Sequence, residues 1–233
     1  MRTVQQQARY AGFLYLLVAL IAPLGLVVVP GQLFVAGDAT ATAANIAGSE
    51  WLVRLGIGSE LLHQVVQVFL VLALYRLFKP VDETLAALVV ILGVLLSTPI
   101  VFVNVLNEVA ALILVSGAGY LAVFDKAQLD ALANLFTVLH GQGIQVVSVF
   151  WGLWLFPFGL LVIRSGFIPR VLGYLLFVAG AAYVVGSFVA LVVPQYDAIV
   201  QPITTVLAIA EIPIVLWLLI WGARTPTAAT QPG

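Results

Sequence analysis

Cysteine is absent from the 233 residues of this chain, which excludes disulfides, thiolate metal sites and cysteine nucleophiles. Charge is scarce as well, because Asp, Glu, Lys and Arg make up 8% of the residues whereas a soluble domain carries about 25%. The formal net charge is -1, so the chain lacks the basic excess that binds nucleic acid by releasing counterions. These shortages indicate an integral membrane protein whose main partner is the lipid bilayer.

Two further absences exclude particular chemistries. The only lysines, Lys79 and Lys126, lie in predicted loops, so no membrane-embedded lysine is left to form a Schiff base with retinal. The serines near the polar stretches lack the Gly-x-Ser-x-Gly context of a serine hydrolase; these are Ser59, Ser97 and Ser148.

Apolar runs are what the sequence has in abundance, with 63% hydrophobic residues and a mean hydropathy of +1.18. A run of about 20 residues crosses a bilayer as a helix. The runs predict an all-α, polytopic membrane protein: a single membrane domain over residues 1–233 with six transmembrane helices and a flexible tail at 224–233. The predicted spans cover about residues 10–30, 51–78, 84–115, 133–163, 171–193 and 200–221.

The connections carry some structure of their own. Residues 37–50 form a polar connection in which we expect a short helical piece. Residues 125–134 are amphipathic, with Asp130 and Asn134 between leucines, which predicts a surface helix that leads into the fourth span.

Six spans place both termini on one side of the membrane, and basic residues decide which side. Seven of the nine lie on the side of the termini: Arg2, Arg9, Arg76, Lys79, Arg164, Arg170 and Arg224. Only Arg54 and Lys126 lie on the other side. Because cytoplasmic loops are enriched in Lys and Arg, we expect both termini to be cytoplasmic.

A polar stripe interrupts the second span. Glu60, His63, Gln64 and Gln67 are spaced i, i+3, i+4 and i+7, so they share one face of a helix. Ionisable residues inside a membrane span are costly and mark a function or a buried partner. Arg54, nearer the outer rim, is expected to snorkel or to pair with Glu50 or Glu60.

Polar residues of three other spans fall at a similar predicted depth. With 1.5 Å of rise per residue, Glu60 lies about 13 Å, Asn104 about 16 Å and Glu211 about 16 Å from the outer ends of their helices. Glycines beside His140 let another helix or a flat ligand approach. We therefore expect a ligand-binding pocket in the outer half of the bilayer, lined by Glu60, His63, Gln64, Gln67, Asn104, Asn107, Glu108, His140, Gln145 and Glu211.

Binding or transport of a small molecule is the function that this pocket favours, with enzymatic activity left open. Pro-Ile-Val recurs at 99–101 and 213–215, in the third and sixth spans. Interrupted helices in matching positions of two inverted halves mark the site in many transporters.

Metal or haem chemistry is the first alternative. Glu60 and His63 form a Glu-x-x-His pair of the kind found in di-metal helical bundles, and a metal ion would take its ligands from His63, His140, Glu60, Glu108 and Glu211. Histidines in two spans also suit a haem with His63 and His140 as axial ligands. The second alternative is a structural or assembly subunit in which the polar groups only join helices. Neither the oligomeric state nor a particular cofactor follows from the sequence.

Three stretches resemble a known family: Ala8-Arg-Tyr-Ala-Gly-Phe-Leu-Tyr15, Ala43-Ala-Asn-Ile46 and Ser165-Gly-Phe-Ile-Pro-Arg-Val-Leu-Gly173. Through these three stretches together, the chain resembles the bacterial multi-pass membrane family DUF4386 over nearly its full length. The resemblance implies a six-span protein of the bacterial inner membrane and brings no activity, substrate or catalytic residue with it.

Overall fold

The computed structural model describes residues 3–223, and within them the chain is helical with short turns and no strand. Six helical segments are long and apolar enough to cross a membrane, so the predicted all-α, multi-pass membrane fold is confirmed. We number them spans 1 to 6: Val4–Leu33, Glu50–Phe78, Glu83–Val115, Lys126–Ser165, Arg170–Val192 and Pro194–Ile220. Arg2, Arg224 and the predicted tail at 224–233 lie outside the described residues.

Spans 1 and 4 begin earlier than the sequence predicted, and a capping box explains each start. At span 1, the backbone N–H of Gln6 donates to Thr3 Oγ1 at 3.2 Å, and the Thr3 N–H donates to Gln6 Oε1 at 3.0 Å. At span 4, Gln128 and Asp125 exchange the same pair of bonds at 2.8 and 3.0 Å. Reciprocal bonds of this kind satisfy N–H groups that a helix start leaves free, so the amphipathic segment at 125–134 belongs to one helix with span 4.

The spans divide into helices as follows. Span 1 contains α1 Val4–Pro23, a π-helical turn Leu24–Val28 and α2 Val29–Leu33, and α3 Ala39–Gly48 lies in the next connection. Span 2 is α4 Glu50–Phe78, and span 3 contains α5 Glu83–Val90, a π-helical turn Ile91–Leu96 and α6 Ser97–Val115. Span 4 contains α7 Lys126–Leu153 and α8 Leu155–Ser165, and span 5 is α9 Arg170–Val192. Span 6 contains the 3₁₀ turn Pro194–Tyr196, α10 Asp197–Ala208, the 3₁₀ turn Ile209–Glu211 and α11 Ile212–Ile220.

Interruptions of the helices follow the same order in the two halves of the chain. Spans 1 and 3 are interrupted and span 2 is continuous, and spans 4 and 6 are likewise interrupted and span 5 continuous. The helices that follow the interruptions of spans 3, 4 and 6 are α6, α8 and α11. Each has a proline among its first three residues: Pro99, Pro157 and Pro213. Proline has no N–H to donate to the preceding turn, which accounts for a break at these places.

The described residues form two compact units. Unit 1 comprises the described residues of Met1–Leu17, Val66–Ser97 and Ser148–Gly233, and unit 2 comprises Val18–Val65 and Thr98–Val147. Spans 1 to 4 each contribute one segment to either unit, whereas spans 5 and 6 belong to unit 1.

Unit 1 is held together by aromatic rings and by glycines. Trp154 stacks on Phe158 with ring centroids 5.6 Å apart, and Phe158 packs edge-on against Phe78 at 5.7 Å. At the contact of α8 with α9, a Cβ added to Gly159 would lie 2.7 Å from the carbonyl oxygen of Gly173. Small residues let helix backbones approach closely in membranes, so this pair is packed without room for side chains.

Unit 2 has an apolar core at one end of its helices. Its buried members include Val29 and Leu33 of α2, Leu52 and Val53 of α4, and Leu112 of α6. The polar residues of α4, α6 and α7 lie in the same unit, which leads to the candidate site.

Candidate functional site

Three ionisable residues of unit 2 come together although they are far apart in the sequence. Glu60 lies in α4, Glu108 in α6 and His140 in α7, and one oxygen or nitrogen of each lies within 4.8 Å of those of the other two. We call this group the Glu–Glu–His cluster. All three residues are buried, with Glu60 0%, His140 5% and Glu108 9% exposed.

The imidazole of His140 is the centre of the cluster. His140 Nε2 lies 3.1 Å from Glu60 Oε1 and 3.2 Å from Glu60 Oε2, and 3.9 Å from Glu108 Oε2. One N–H cannot serve all of these oxygens, and Glu60 Oε1 and Glu108 Oε2 have no hydrogen-bond partner among the described residues. Buried carboxylate oxygens without a hydrogen-bond donor are costly. The two oxygens of the cluster can therefore still accept a bond from a positively charged group.

Four basic side chains of the described region form ion pairs with acids outside the cluster. Arg54 pairs with Glu50 at 2.6 Å, the first of the two partners expected for it, and not with Glu60. Lys79 pairs with Glu83, Lys126 with Asp130, and Arg164 with Asp82. Within residues 3–223, no ion pair joins a lysine or an arginine to the cluster.

Two asparagines of α6 hold the turn of α7 that carries the imidazole. Asn104 Nδ2 donates to the backbone carbonyl of His140 at 3.0 Å, and Asn107 Nδ2 donates to Asn104 Oδ1 at 3.0 Å. The side chain of Asn104 also occupies the space where a Cβ of Gly143 would be. The glycine therefore permits the contact of α6 with α7, as its place beside His140 suggested, whereas Gly141 faces open space.

Span 1 closes the other side of Glu60. A Cβ added to Gly25, in the π-helical turn, would lie 2.5 Å from Ser59 Oγ and 2.8 Å from Glu60 Cγ. Ser59 Oγ donates to the carbonyl of Gly56 at 2.8 Å. Because the backbone of span 1 approaches this closely, it covers the Glu60 side chain on that side, and Glu60 is fully buried.

The remaining predicted residues of unit 2 lie on the same helices as the cluster but are not members of it. Gln64 is fully buried and its Nε2 donates to Thr98 Oγ1 at 2.6 Å. His63 is 4% exposed but is not one of the three grouped residues. Gln145 is half-buried.

Two predicted residues fall in unit 1. Gln67 is buried at 4% exposure. Glu211 ends the 3₁₀ turn before α11, and it accepts hydrogen bonds from the hydroxyls of Tyr15 and Tyr183. The ring of Tyr15 packs against that of Trp154 at 5.9 Å. The sequence did not single out either tyrosine, because a tyrosine in an apolar run is more often an interface residue.

The donor set suits a divalent metal ion better than haem. Two carboxylates and one imidazole are ligands that zinc, manganese and iron accept. Haem would take His140 Nε2 as an axial ligand, but that atom lies 3.1 Å from Glu60 Oε1, so the carboxylate occupies the place of the iron. Of the five metal ligands considered from the sequence, Glu60, Glu108 and His140 are grouped, and His63 and Glu211 are not.

Comparison with known proteins assigns the family. Residues 10–222 match the family model described as a domain of unknown function, DUF4386. The chain belongs to the DUF4386 family. It is also 24% identical over 170 residues to an uncharacterized protein of Archaeoglobus fulgidus, a match that covers 72% of this chain and 84% of that protein. No solved structure matches.

The DUF4386 match covers every residue of the candidate site, from Gly25 to Gly143, and also Tyr15, Tyr183 and Glu211 in unit 1. A protein similar to this chain is therefore present in an archaeon. The family description carries no activity, so a function has to be argued from the cluster itself.

Proposed function

We propose that this DUF4386 protein binds a small cationic ligand inside the membrane at the Glu–Glu–His cluster. The observation that carries the proposal is the pair of buried carboxylate oxygens, Glu60 Oε1 and Glu108 Oε2, that have no hydrogen-bond partner among the described residues. A cation placed between them would replace the missing donors, and charged groups at such a depth are usually functional.

Transport of the bound ligand is the form of this function that the helix pattern favours. Interrupted, continuous and interrupted spans follow one another in both halves of the chain. Three spans are an odd number, so the halves have opposite orientations in the membrane, and interrupted helices in matching positions are common in transporters with inverted repeats.

The proposal includes an orientation and a location. Both termini are placed in the cytoplasm, because seven of the nine basic residues then lie on the cytoplasmic side. In this orientation the cluster lies in the outer half of the bilayer. The membrane is proposed to be the bacterial inner membrane.

Thermal unfolding of the purified full-length protein in detergent tests ligand binding. The probes are the chlorides of sodium, manganese, zinc and putrescine, each added to the wild type and to Glu108→Gln. A ligand at about 100 times its Kd stabilises the folded state by about 2.7 kcal/mol. We expect at least one probe to raise the unfolding temperature of the wild type and to have no such effect on Glu108→Gln.

Glu83→Gln is the matched control, because Glu83 is also a glutamate but its side chain, at the start of span 3, is 65% exposed. This variant should respond to the probes as the wild type does. If no probe stabilises the wild type and Glu108→Gln simply unfolds at a lower temperature, the polar groups only join helices and the proposal is wrong.

A further inference from the structure

We infer that the Glu–Glu–His cluster is a binding site for a divalent transition-metal ion, held by Glu60, Glu108 and His140. This inference rests on the proposed function and names the class of its ligand. It needs no movement of the backbone, because the three side chains already face one another across α4, α6 and α7.

The distances between the candidate ligand atoms are close to those around a metal ion. Zinc lies 2.0 to 2.2 Å from nitrogen and carboxylate oxygen ligands, so two ligands of a tetrahedral ion are about 3.4 Å apart. His140 Nε2 lies 3.1 Å from Glu60 Oε1 and 3.9 Å from Glu108 Oε2. The inference therefore requires Glu108 to move its oxygen closer to the imidazole, by a change of side-chain torsion angles, when the ion binds.

Charge favours a divalent ion over a monovalent one. Glu60 and Glu108 supply two carboxylates, and the arginines and lysines with ion pairs in the described region are paired with other acids. One imidazole with two carboxylates is typical of zinc, manganese, iron or cobalt. Copper(I) prefers sulfur, and the chain has no cysteine and a single methionine.

The surroundings of the cluster act as a support for the ligands. Asn104 holds the backbone carbonyl of His140, and Asn107 in turn holds Asn104. These bonds hold the turn of α7 that carries the imidazole, and the groups around metal ligands are part of what sets metal affinity. Three protein ligands leave a fourth position of a tetrahedral ion open, as a site that exchanges or transports its ion requires.

Cobalt(II) provides the test, because its visible absorption changes when protein nitrogen and oxygen ligands replace water. The full-length protein is purified in detergent, treated with EDTA, dialysed and titrated with CoCl₂. We expect new absorption bands that saturate at one equivalent per chain and are abolished by ZnCl₂. Elemental analysis after dialysis against ZnCl₂ should find one zinc per chain.

Variants assign the metal to the cluster. Glu108→Gln and His140→Gln should each weaken cobalt binding about tenfold or more, since even the loss of a supporting group around a metal costs 10- to 100-fold. Glu50→Gln is the control, because this glutamate is exposed and paired with Arg54. Size-exclusion elution and helical circular dichroism show which variants fold. If both cluster variants fail to fold, the inference is judged by whether ZnCl₂ raises the unfolding temperature of the wild type. No such rise would contradict it.

Three outcomes would overturn the inference. The first is the absence of both cobalt bands and stoichiometric zinc from the wild type. The second is binding that survives in folded Glu108→Gln and His140→Gln. The third is binding that His63→Gln removes and His140→Gln does not, which would assign the metal to the other histidine of the chain. If putrescine or sodium stabilises the wild type but not Glu108→Gln while metals have no effect, the inference fails and the proposed function stands.

Discussion

Asn104 of α6 donates a hydrogen bond of 3.0 Å to the backbone carbonyl of His140, and it does so across the place where the side chain of Gly143 would be. The imidazole is thereby positioned through its backbone and not only through its ring. Gly143 therefore helps to determine the geometry of the candidate site, although it has no side chain that could bind a ligand.

Replacement of Gly143 by alanine should therefore destabilise the protein. The added methyl group would overlap the Asn104 side chain, and overpacking of this kind costs about 1 to 3 kcal/mol. The measurement is the free energy of unfolding of the purified variant in detergent. Gly141→Ala is the matched control two residues away, where a Cβ meets nothing within 4 Å, so the change should stay within about 1 kcal/mol. Equal destabilisation by both substitutions would contradict the close contact of α6 with α7.

Tyr15→Phe should destabilise unit 1, because it removes a hydroxyl that donates to Glu211. Loss of a donor to a charged or buried acceptor costs about 1 to 3 kcal/mol. Unfolding free energies of Tyr15→Phe, Glu211→Gln and the double variant measure the coupling between the two side chains. Tyr174→Phe, at a residue that is 57% exposed, should leave the stability unchanged. Additive single changes would show that the tyrosine and the glutamate act independently.

The proposed orientation can be tested because the natural chain has no cysteine. Val123 is 83% exposed in the connection between spans 3 and 4, and Thr84 is exposed at the start of span 3. We expect a membrane-impermeant maleimide to label Val123→Cys in intact cells and Thr84→Cys only after the cells are broken. The reverse pattern would place the termini outside.

Lys79 should have a raised pKa, first because Glu83 accepts a hydrogen bond from its Nζ and then because of the charge of that carboxylate. Lys79 Nζ, in the connection after span 2, lies 3.0 Å from Oε1 of Glu83 at the start of span 3. A raised pKa in the folded state means that the pair stabilises the fold below the pKa of lysine in the unfolded chain, about 10.4. This contribution disappears as the pH rises through the folded-state pKa.

Nitrogen-15 NMR of lysine-labelled protein measures this pKa directly. The chain has two lysines, so Lys126→Arg leaves the Lys79 signal alone in the spectrum. Glu83→Gln should move the titration of that signal to lower pH. An unchanged titration curve would show that Glu83 does not perturb the lysine in solution.

The spans could be predicted well where composition alone decides them. Apolar length located all six, and Pro80 and Pro194 follow the ends of spans 2 and 5. Apolar length alone starts spans 1 and 4 later than the structure does, although the amphipathic residues 125–134 did predict a helix that leads into span 4. The capping boxes Thr3–Gln6 and Asp125–Gln128 have the spacing that predicts a helix start, so that signal was present in the sequence.

Prediction of the site depended on what periodicity can report. Matching depth and the spacing of Asn104, Asn107 and Glu108 selected residues that the structure groups around His140. Depth cannot say which residues of one helix face which neighbour. The hydrogen bonds of Glu211 with Tyr15 and Tyr183 in unit 1 could therefore not be predicted from it. The hydrogen bond from Asn104 is accepted by the backbone carbonyl of His140. Every residue has such a carbonyl, so the sequence could not indicate which one is the acceptor.

The order of the cluster along the chain has a consequence for its biosynthesis. A ribosome makes Glu60 and Glu108 before His140, and 80 residues separate Glu60 from the imidazole that it contacts. The insertion machinery therefore has to accept spans 2 and 3 while their acids have no histidine partner. Glycines 159 and 173, in contrast, join two consecutive spans, so the hairpin of α8 and α9 can form as soon as it enters the membrane. The nascent protein thus acquires its close-packed helix pair and its ionisable cluster by different routes, one from neighbouring segments and the other only after the first four spans are present.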